Sequence, residues 1–247
     1  IFFHKRLERI ARPKGTPKRK YLNCLFIFNC LFCSDFIIIH NKLFLMEIQY
    51  FFELFGTLFF GISGALAADE KSGNDWFGVT FIAFLTSIGG GTIRDILLSA
   101  DIMWIKDVNL IYAVTIGVIL AAIFYTPLLR LRKTFMLFDT LGIALFTIVG
   151  LEKALRLGID PVIAPIMGMF TAVFGSVIRD MMLNEVPIIF KKEIYAFACL
   201  CGAIIYMILW NLDVSRNINF FVSGGAIVII RLCAVKYNLS LPKFKSH

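Results

Sequence analysis

One apolar stretch, residues 78–99, is long enough to cross a bilayer, yet it contains Thr86-Ser87-Ile88-Gly89-Gly90-Gly91-Thr92-Ile93-Arg94-Asp95. Each glycine disfavours a helix by about 1 kcal/mol relative to Ala. An Arg or Asp at the bilayer centre costs about 2.5–3.5 kcal/mol on insertion scales. Simple anchoring needs neither feature. A helix that breaks, lines a cavity and carries charge needs both.

The stretch has a second, less regular copy, Phe174-Gly175-Ser176-Val177-Ile178-Arg179-Asp180, with its Arg-Asp pair 85 residues later (179 − 94). Gly90 falls on Gly175, Gly91 on Ser176 and, downstream, Gly117 on Gly202. Upstream the register shifts by one residue, so that Gly56 matches Gly142, Gly64 matches Gly150 and Glu53 matches Asp139. A one-residue difference in the intervening loop accounts for the shift, and the whole pattern is an internal duplication.

Seven apolar spans follow Met46, at approximately 49–68, 78–99, 108–129, 135–155, 161–183, 193–210 and 218–235. Each is close to the roughly 20 residues that a spanning helix requires. The expected fold is an all-α polytopic membrane protein with seven transmembrane helices, a 3+3 inverted repeat plus one C-terminal helix. Residues 46–133 form the first three-helix repeat and 134–212 the second, with the seventh helix and a basic tail at 213–247. Three spans per repeat is an odd number, so the second copy enters the membrane from the opposite side, related to the first by a pseudo-two-fold axis in the membrane plane. Lys and Arg concentrate on one side, at Arg130, Arg132, Lys133, Lys191, Lys192, Lys236, Lys243 and Lys245, which places the C-terminus in the cytoplasm.

Residues 1–45 are basic and then apolar, and they have no partner in the repeats. They read either as a signal anchor or as sequence foreign to the native protein, with Met46 as the natural start. The second reading is preferred, and little packing is expected from them.

Composition excludes several classes. The chain is 59% apolar and only 17% charged, against about 25% charged in soluble domains. Its net charge of +8 is mostly terminal, which argues for orientation in an anionic membrane and against a nucleic-acid groove. Cys30-Leu31-Phe32-Cys33 is a lone pair of cysteines without a second pair, and His4, His40 and His247 all lie outside the repeats. No nucleophile–base pair or zinc motif appears, so neither an enzyme nor a metal or other cofactor is expected.

Thr92 with Asp95 fits a capping box. On that reading the glycines end one half-helix, Thr92 starts the next, and the carbonyls of Ile88, Gly89 and Gly90 face the solute. The expected path is lined by Ser87, Ile88, Gly89, Gly90, Gly91, Thr92, Gly175 and Ser176. Arg94, Asp95, Arg179 and Asp180 are expected as intramembrane charge pairs, joined across the repeats as Arg94 with Asp180 and Arg179 with Asp95, because adjacent residues on a helix do not face each other well. These charges either line the path or merely hold the bundle together. Gly61-x3-Ala65, Gly64-x3-Ala68 and Ala113-x3-Gly117-x3-Ala121 read as packing ridges.

Gly61-Ile62-Ser63-Gly64-Ala65-Leu66-Ala67-Ala68, Phe77-Gly78, Gly89 to Asp95, Trp104, Asp107 and the closing Arg231 to Phe244 together resemble the bacterial membrane family with two glycine-transporter domains. That family is similar to the trimeric intracellular cation (TRIC) channels. The resemblance covers residues 46–244. It implies a homotrimer in the bacterial inner membrane, in contact with lipid, with a monovalent-cation path, most simply for potassium, between kinked second and fifth helices of each protomer. A carrier for glycine or another small zwitterion is the alternative. The second copy departs from the family pattern at Phe174-Gly175-Ser176, where a fuller glycine run is usual.

Overall fold

The computed structural model describes residues 48–68, 75–124, 134–191, 194–237 and 239. The expectations for residues 1–45 lie outside them. Each expected span coincides with a helix: α1 Ile48–Ala68, α2 Trp76–Leu97, α4 Val108–Ile123, α5 Thr134–Arg156, α6 Ala164–Met182, α8 Ile194–Asn211 and α9 Arg216–Tyr237. Two short helices were not expected, α3 Met103–Lys106 and α7 Ile188–Lys191. By length and composition α1, α2, α5, α8 and α9 can each cross a membrane. Helix α4 has 16 residues, and the remainder of its expected span runs past the described residues. Helix α6 has 19 and carries Arg179-Asp180 within its last turn.

Local chemistry sets the helix starts. Asp75 accepts the Gly78 N–H at 2.8 Å to begin α2, and Asp107 accepts that of Asn109 at 3.0 Å to begin α4. Pro165 sits in the first turn of α6, where its missing N–H leaves no bond unmade.

The duplication is legible atom by atom. Helices α2 and α6 both end in a left-handed residue, Ser99 at φ 50° and Asn184 at φ 52°. Ala100 N–H bonds Asp95 O, and Glu185 N–H bonds Asp180 O, both at 2.8 Å. The short helices α3 and α7 then begin at equivalent positions. On the pseudo-two-fold axis the rings of Phe60 and Phe146 stack 5.2 Å apart. Each ring lies over the other repeat's glycine: a methyl group on Gly142 would meet Phe60 at 2.6 Å, and one on Gly56 would meet Phe146 at 3.2 Å.

The small-residue ridges do the packing expected of them. A methyl group on Gly64 would meet Ala83 Cα at 2.8 Å, and one on Gly117 would meet Leu58 O at 2.8 Å, so α1 lies close against both α2 and α4. Helix α9 stands outside the duplication. It seats Ile227 over Gly202 of α8 and stacks Phe220 on Phe52 of α1 with centroids 3.8 Å apart. Exposed large apolar residues such as Phe55, Phe81, Ile119, Phe197 and Ile229 give the bundle an outer surface that suits lipid.

Candidate functional site

Helix α2 is α-helical from Trp76 to Leu97, without interruption at the three glycines. The expected break, with Thr92 as N-cap, is therefore corrected. Thr92 Oγ1 bonds back to Ile88 O at 2.8 Å, one turn earlier in the same helix. Ser176, the candidate cap in the second copy, likewise bonds Val173 O at 2.8 Å inside an unbroken α6. The physical reason is that an intact ladder satisfies every backbone group where water is absent, whereas freed carbonyls need a wet cavity on all sides.

The glycines have three different surroundings. Gly90 is where α2 crosses α6: a Cβ there would sit 2.1 Å from Thr171 O and 3.3 Å from Gly175 N. Gly175 makes the reciprocal contact, its Cβ falling 2.4 Å from Thr86 O. Backbone touches backbone at the crossing, so nothing can pass directly between those two residues. Gly89 faces the tip of Ile178, and Gly91 faces open space with only Arg94 Nη2 within 4 Å, at 3.7 Å.

The charges also pair differently from expectation. Arg94 does not reach Asp180, nor Arg179 Asp95. Arg94 Nη2 donates to Glu53 Oε1 of α1 at 2.8 Å, and its Nε to neighbouring Asp95 Oδ1 at 2.7 Å. Arg179 repeats this with Asp139 Oδ1 of α5 at 2.8 Å and Asp180 Oδ1 at 2.9 Å. Each Arg is thus neutralised inside its own repeat, by the acid of that repeat's first helix. Neighbouring Arg and Asp meet because both lie in the last helical turn, where the long Arg side chain can curl over its successor. The second Asp oxygen is spent locally too, on Met103 N–H at 3.3 Å and on Ile188 N–H at 2.8 Å, which ties each cluster to its short helix. Lys153 Nζ pairs with Asp95 Oδ1 at 2.8 Å and Arg179 Nη1 donates to Ser63 Oγ at 3.1 Å, so the repeats are joined through these two contacts.

A cavity opens beside the crossing, lined almost entirely by the first repeat. Glu53 and Thr57 of α1 line one wall. Ser87, Ile88, Gly91, Thr92, Arg94 and Asp95 of α2 line the next. Met103 and Trp104 of α3, Leu110 of α4 and Phe146 of α5 close the rest. Its hydroxyls share one arrangement: Thr57 donates to Glu53 O, Ser87 to Ala83 O and Thr92 to Ile88 O, all at 2.8 Å. A hydroxyl that gives its only proton to its own helix presents lone pairs elsewhere. The Thr92 oxygen also accepts Trp104 Nε1 at 3.0 Å. The lining therefore offers oxygen acceptors and carboxylates, with Arg94 Nη1 buried and without a hydrogen-bond partner among the described residues.

Of the expected path residues, Ser87, Ile88, Gly91 and Thr92 come together around this cavity. Gly90 and Gly175 form the crossing, Gly89 packs, and Ser176 is bonded to Tyr195 Oη at 2.7 Å. Sequence reading missed Glu53 and Asp139 as the partners of the arginines, although both are acids in apolar spans at matching register. It also missed Lys153, Trp104 and a further cluster in which Glu152 binds Arg216 and accepts Tyr206 Oη at 2.6 Å. No group of three or more His, Cys, Asp or Glu suited to a metal occurs among the described residues.

A family model described as Glycine transporter matches residues 50–126 and 136–211, one copy for each repeat. The UPF0126 membrane protein of Vibrio cholerae is 36% identical over 200 residues, covering 80% of this chain and 83% of its own. The UPF0126 inner membrane protein YadS of Escherichia coli K12 is 35% identical over 199 residues, covering 79% and 95%. Among solved structures, the TRIC trimeric intracellular cation channel orthologue from Rhodobacter sphaeroides superposes with a TM-score of 0.72 at 30% identity, over 78% of this chain and 99% of that one. A second TRIC cation channel, solved to explain conductance, gives 0.70 at 31% identity over 80% and 97%.

Proposed function

This chain belongs to the bacterial membrane family built from two glycine-transporter domains and shares the fold of the TRIC channels, and from that premise we propose that it is a transport protein rather than an enzyme: a homotrimeric channel for monovalent cations, potassium foremost, in the bacterial inner membrane. Seven spanning helices, with the C-terminus cytoplasmic, give each protomer its own path. The path runs alongside the crossing of the second and fifth spanning helices, α2 and α6, through the cavity faced by Ser87, Ile88, Gly91 and Thr92.

One observation carries the choice of a cation. Thr57, Ser87 and Thr92 all turn oxygen lone pairs away from their own helices, beside the carboxylates of Glu53 and Asp95. Such a lining replaces the hydration oxygens of a monovalent cation at small cost and sets only one unpartnered side-chain donor, Arg94 Nη1, against them. The solved TRIC structures are named as cation channels, and the Rhodobacter sphaeroides one as trimeric, which supports the same reading. The family's description favours the glycine carrier. Purified protein in liposomes, tested for potassium efflux and for labelled-glycine uptake in one preparation, separates the two. Potassium efflux that is lost in Ser87→Val supports the channel. Saturable glycine uptake without potassium efflux overturns it.

A further inference from the structure

The two repeats differ at the positions that matter most for passage. The first-repeat cavity is lined by Gly91 and Leu110. Eighty-five residues on (176 − 91 and 195 − 110), the second repeat has Ser176 and Tyr195. Tyr195 is wholly buried, and its hydroxyl donates to Ser176 Oγ at 2.7 Å, so that it occupies the space that Gly91 leaves open in the other half. Ser176 passes its own proton to Val173 O at 2.8 Å, which leaves the Oγ lone pairs to hold the tyrosine. Arg231 of α9, outside the duplication, lays its guanidinium over the Tyr195 ring, 4.4 Å from the centroid. Arg231 is 1% exposed, makes no ion pair among the described residues, and leaves its Nε without a hydrogen-bond partner. A fully buried arginine with no carboxylate is expensive unless something holds it, and here the contact is the ring.

We propose that Tyr195 is the residue that closes the second-repeat half of the path, its hydroxyl latched on Ser176, and that Arg231 is the positioning residue that keeps its ring in place. The inference rests on the cation path proposed above and supplies its control point. With Tyr195 on Ser176 the first-repeat cavity is a dead end. When the ring swings away, the Ser176 oxygen and the unpartnered Asp139 Oδ2 of the same cluster become acceptors for a cation leaving that cavity. The seventh helix is then more than packing, since it brings the charge that decides how long the ring stays shut.

The experiment uses the full chain with Cys24, Cys30, Cys33, Cys199, Cys201 and Cys233 replaced by Ala. A single cysteine is introduced by Gly91→Cys or by Ser176→Cys, and each protein is treated in liposomes with a small water-soluble methanethiosulfonate. The Gly91→Cys protein should label readily, because the added side chain enters open space. The Ser176→Cys protein should be protected while Tyr195 is present and should label when Tyr195→Leu restores the first repeat's residue. In otherwise unaltered protein, Tyr195→Phe keeps the ring's volume and removes only the latch. Potassium efflux should then rise about fivefold, the population change that corresponds to about 1 kcal/mol for one hydrogen bond. Arg231→Gln should raise efflux as well, and Arg231→Lys, which keeps a cation over the ring, should restore the wild-type rate. Labelling of Ser176→Cys at the same rate with and without Tyr195→Leu overturns the closure, as does wild-type efflux in Tyr195→Phe protein that still runs as an oligomer. Tyrosine-dependent protection with no potassium efflux in any variant upholds the closure and removes the cation reading instead.

Discussion

Substituting alanine for the three consecutive glycines one at a time separates a crossing point from a hinge. Helix propensity alone makes the substitutions equivalent, each stabilising α2 by about 1 kcal/mol. The surroundings do not. The Cβ of Gly90→Ala would lie 2.1 Å from Thr171 O, whereas ordinary contact begins at 3.4 Å, so α2 and α6 would have to part by about 1.3 Å (3.4 − 2.1). The obstacle is main chain and cannot rotate away. Overpacking of this kind costs about 1–3 kcal/mol, occasionally more, which outweighs the propensity gain. Gly89→Ala meets only the Cδ1 tip of Ile178 at 2.8 Å, which can turn aside, and its two effects should nearly cancel. Gly91→Ala has its nearest neighbour at 3.7 Å and should gain stability. The expected order of melting temperature in detergent is Gly91→Ala above wild type, Gly89→Ala near it and Gly90→Ala below. Potassium efflux should fall most in Gly90→Ala, because separating the helices displaces Ser87 and Gly91 from the cavity wall. An equal response from all three positions would falsify the close-crossing account and return the glycines to a role in bending the helix.

Gly175→Ala should be nearly as damaging as Gly90→Ala, since its Cβ meets Thr86 O at 2.4 Å; thermal melts of the two proteins side by side decide the point, and a mild Gly175→Ala phenotype counts against symmetry at the crossing. Arg94→Ala strands the buried Glu53 carboxylate and should destabilise by about 3–5 kcal/mol, while Lys106→Ala, which breaks the exposed pair with Asp101, should leave the melting temperature unchanged. A double-mutant cycle between Glu53→Gln and Arg94→Gln should show coupling of about 0.5–3 kcal/mol, whereas Arg94→Gln with Asp180→Asn should be additive; the reverse result would restore pairing across the repeats. Trp104→Phe removes the donor to Thr92 Oγ1 and should alter potassium efflux with little change in melting temperature, because the ring's edge contact with Phe84 survives.

What could be read from the amino-acid order was whatever depends on periodicity and duplication. Seven apolar stretches and a repeated Gly-x3-Arg-Asp text were enough to place the helices and to align Gly90 with Gly175 as equivalent positions, because both features act along one chain at fixed spacing. The charge partners were hidden by a different kind of distance. Glu53 and Arg94 are 41 residues apart and meet only because α1 and α2 are antiparallel with the right rotation about their axes. Their signal was nonetheless present, as Glu53 and Asp139 are acids at the same register of two apolar helices. The helix break was misread for a physical reason: glycine's low propensity is a property of the isolated helix. Beside Thr171 O, where any side chain would clash, the same residue is what lets the helix remain whole.

Comparing the two copies divides scaffold from site without any other protein for reference. Where both repeats hold the same chemistry, the structure finds architecture: Gly64 and Gly150 against Thr86 and Thr171, Gly90 and Gly175 at the crossing, Arg-Asp on the acid of the first helix. The rest of the cavity wall is where they diverge, beside the shared Glu53, Arg94 and Asp95. Gly91 has become Ser176, Thr92 has become Val177, Trp104 has become Ile189 and Leu110 has become Tyr195, and all four first-repeat members line the opening. A symmetric pair of half-channels would present the same oxygens at both faces and would stand open or shut at both together. On the path proposed above, divergence at those four places would leave one half able to receive a solute and the other stoppered by Tyr195, an asymmetry that α9 reinforces because it supplies Arg231 to one repeat only.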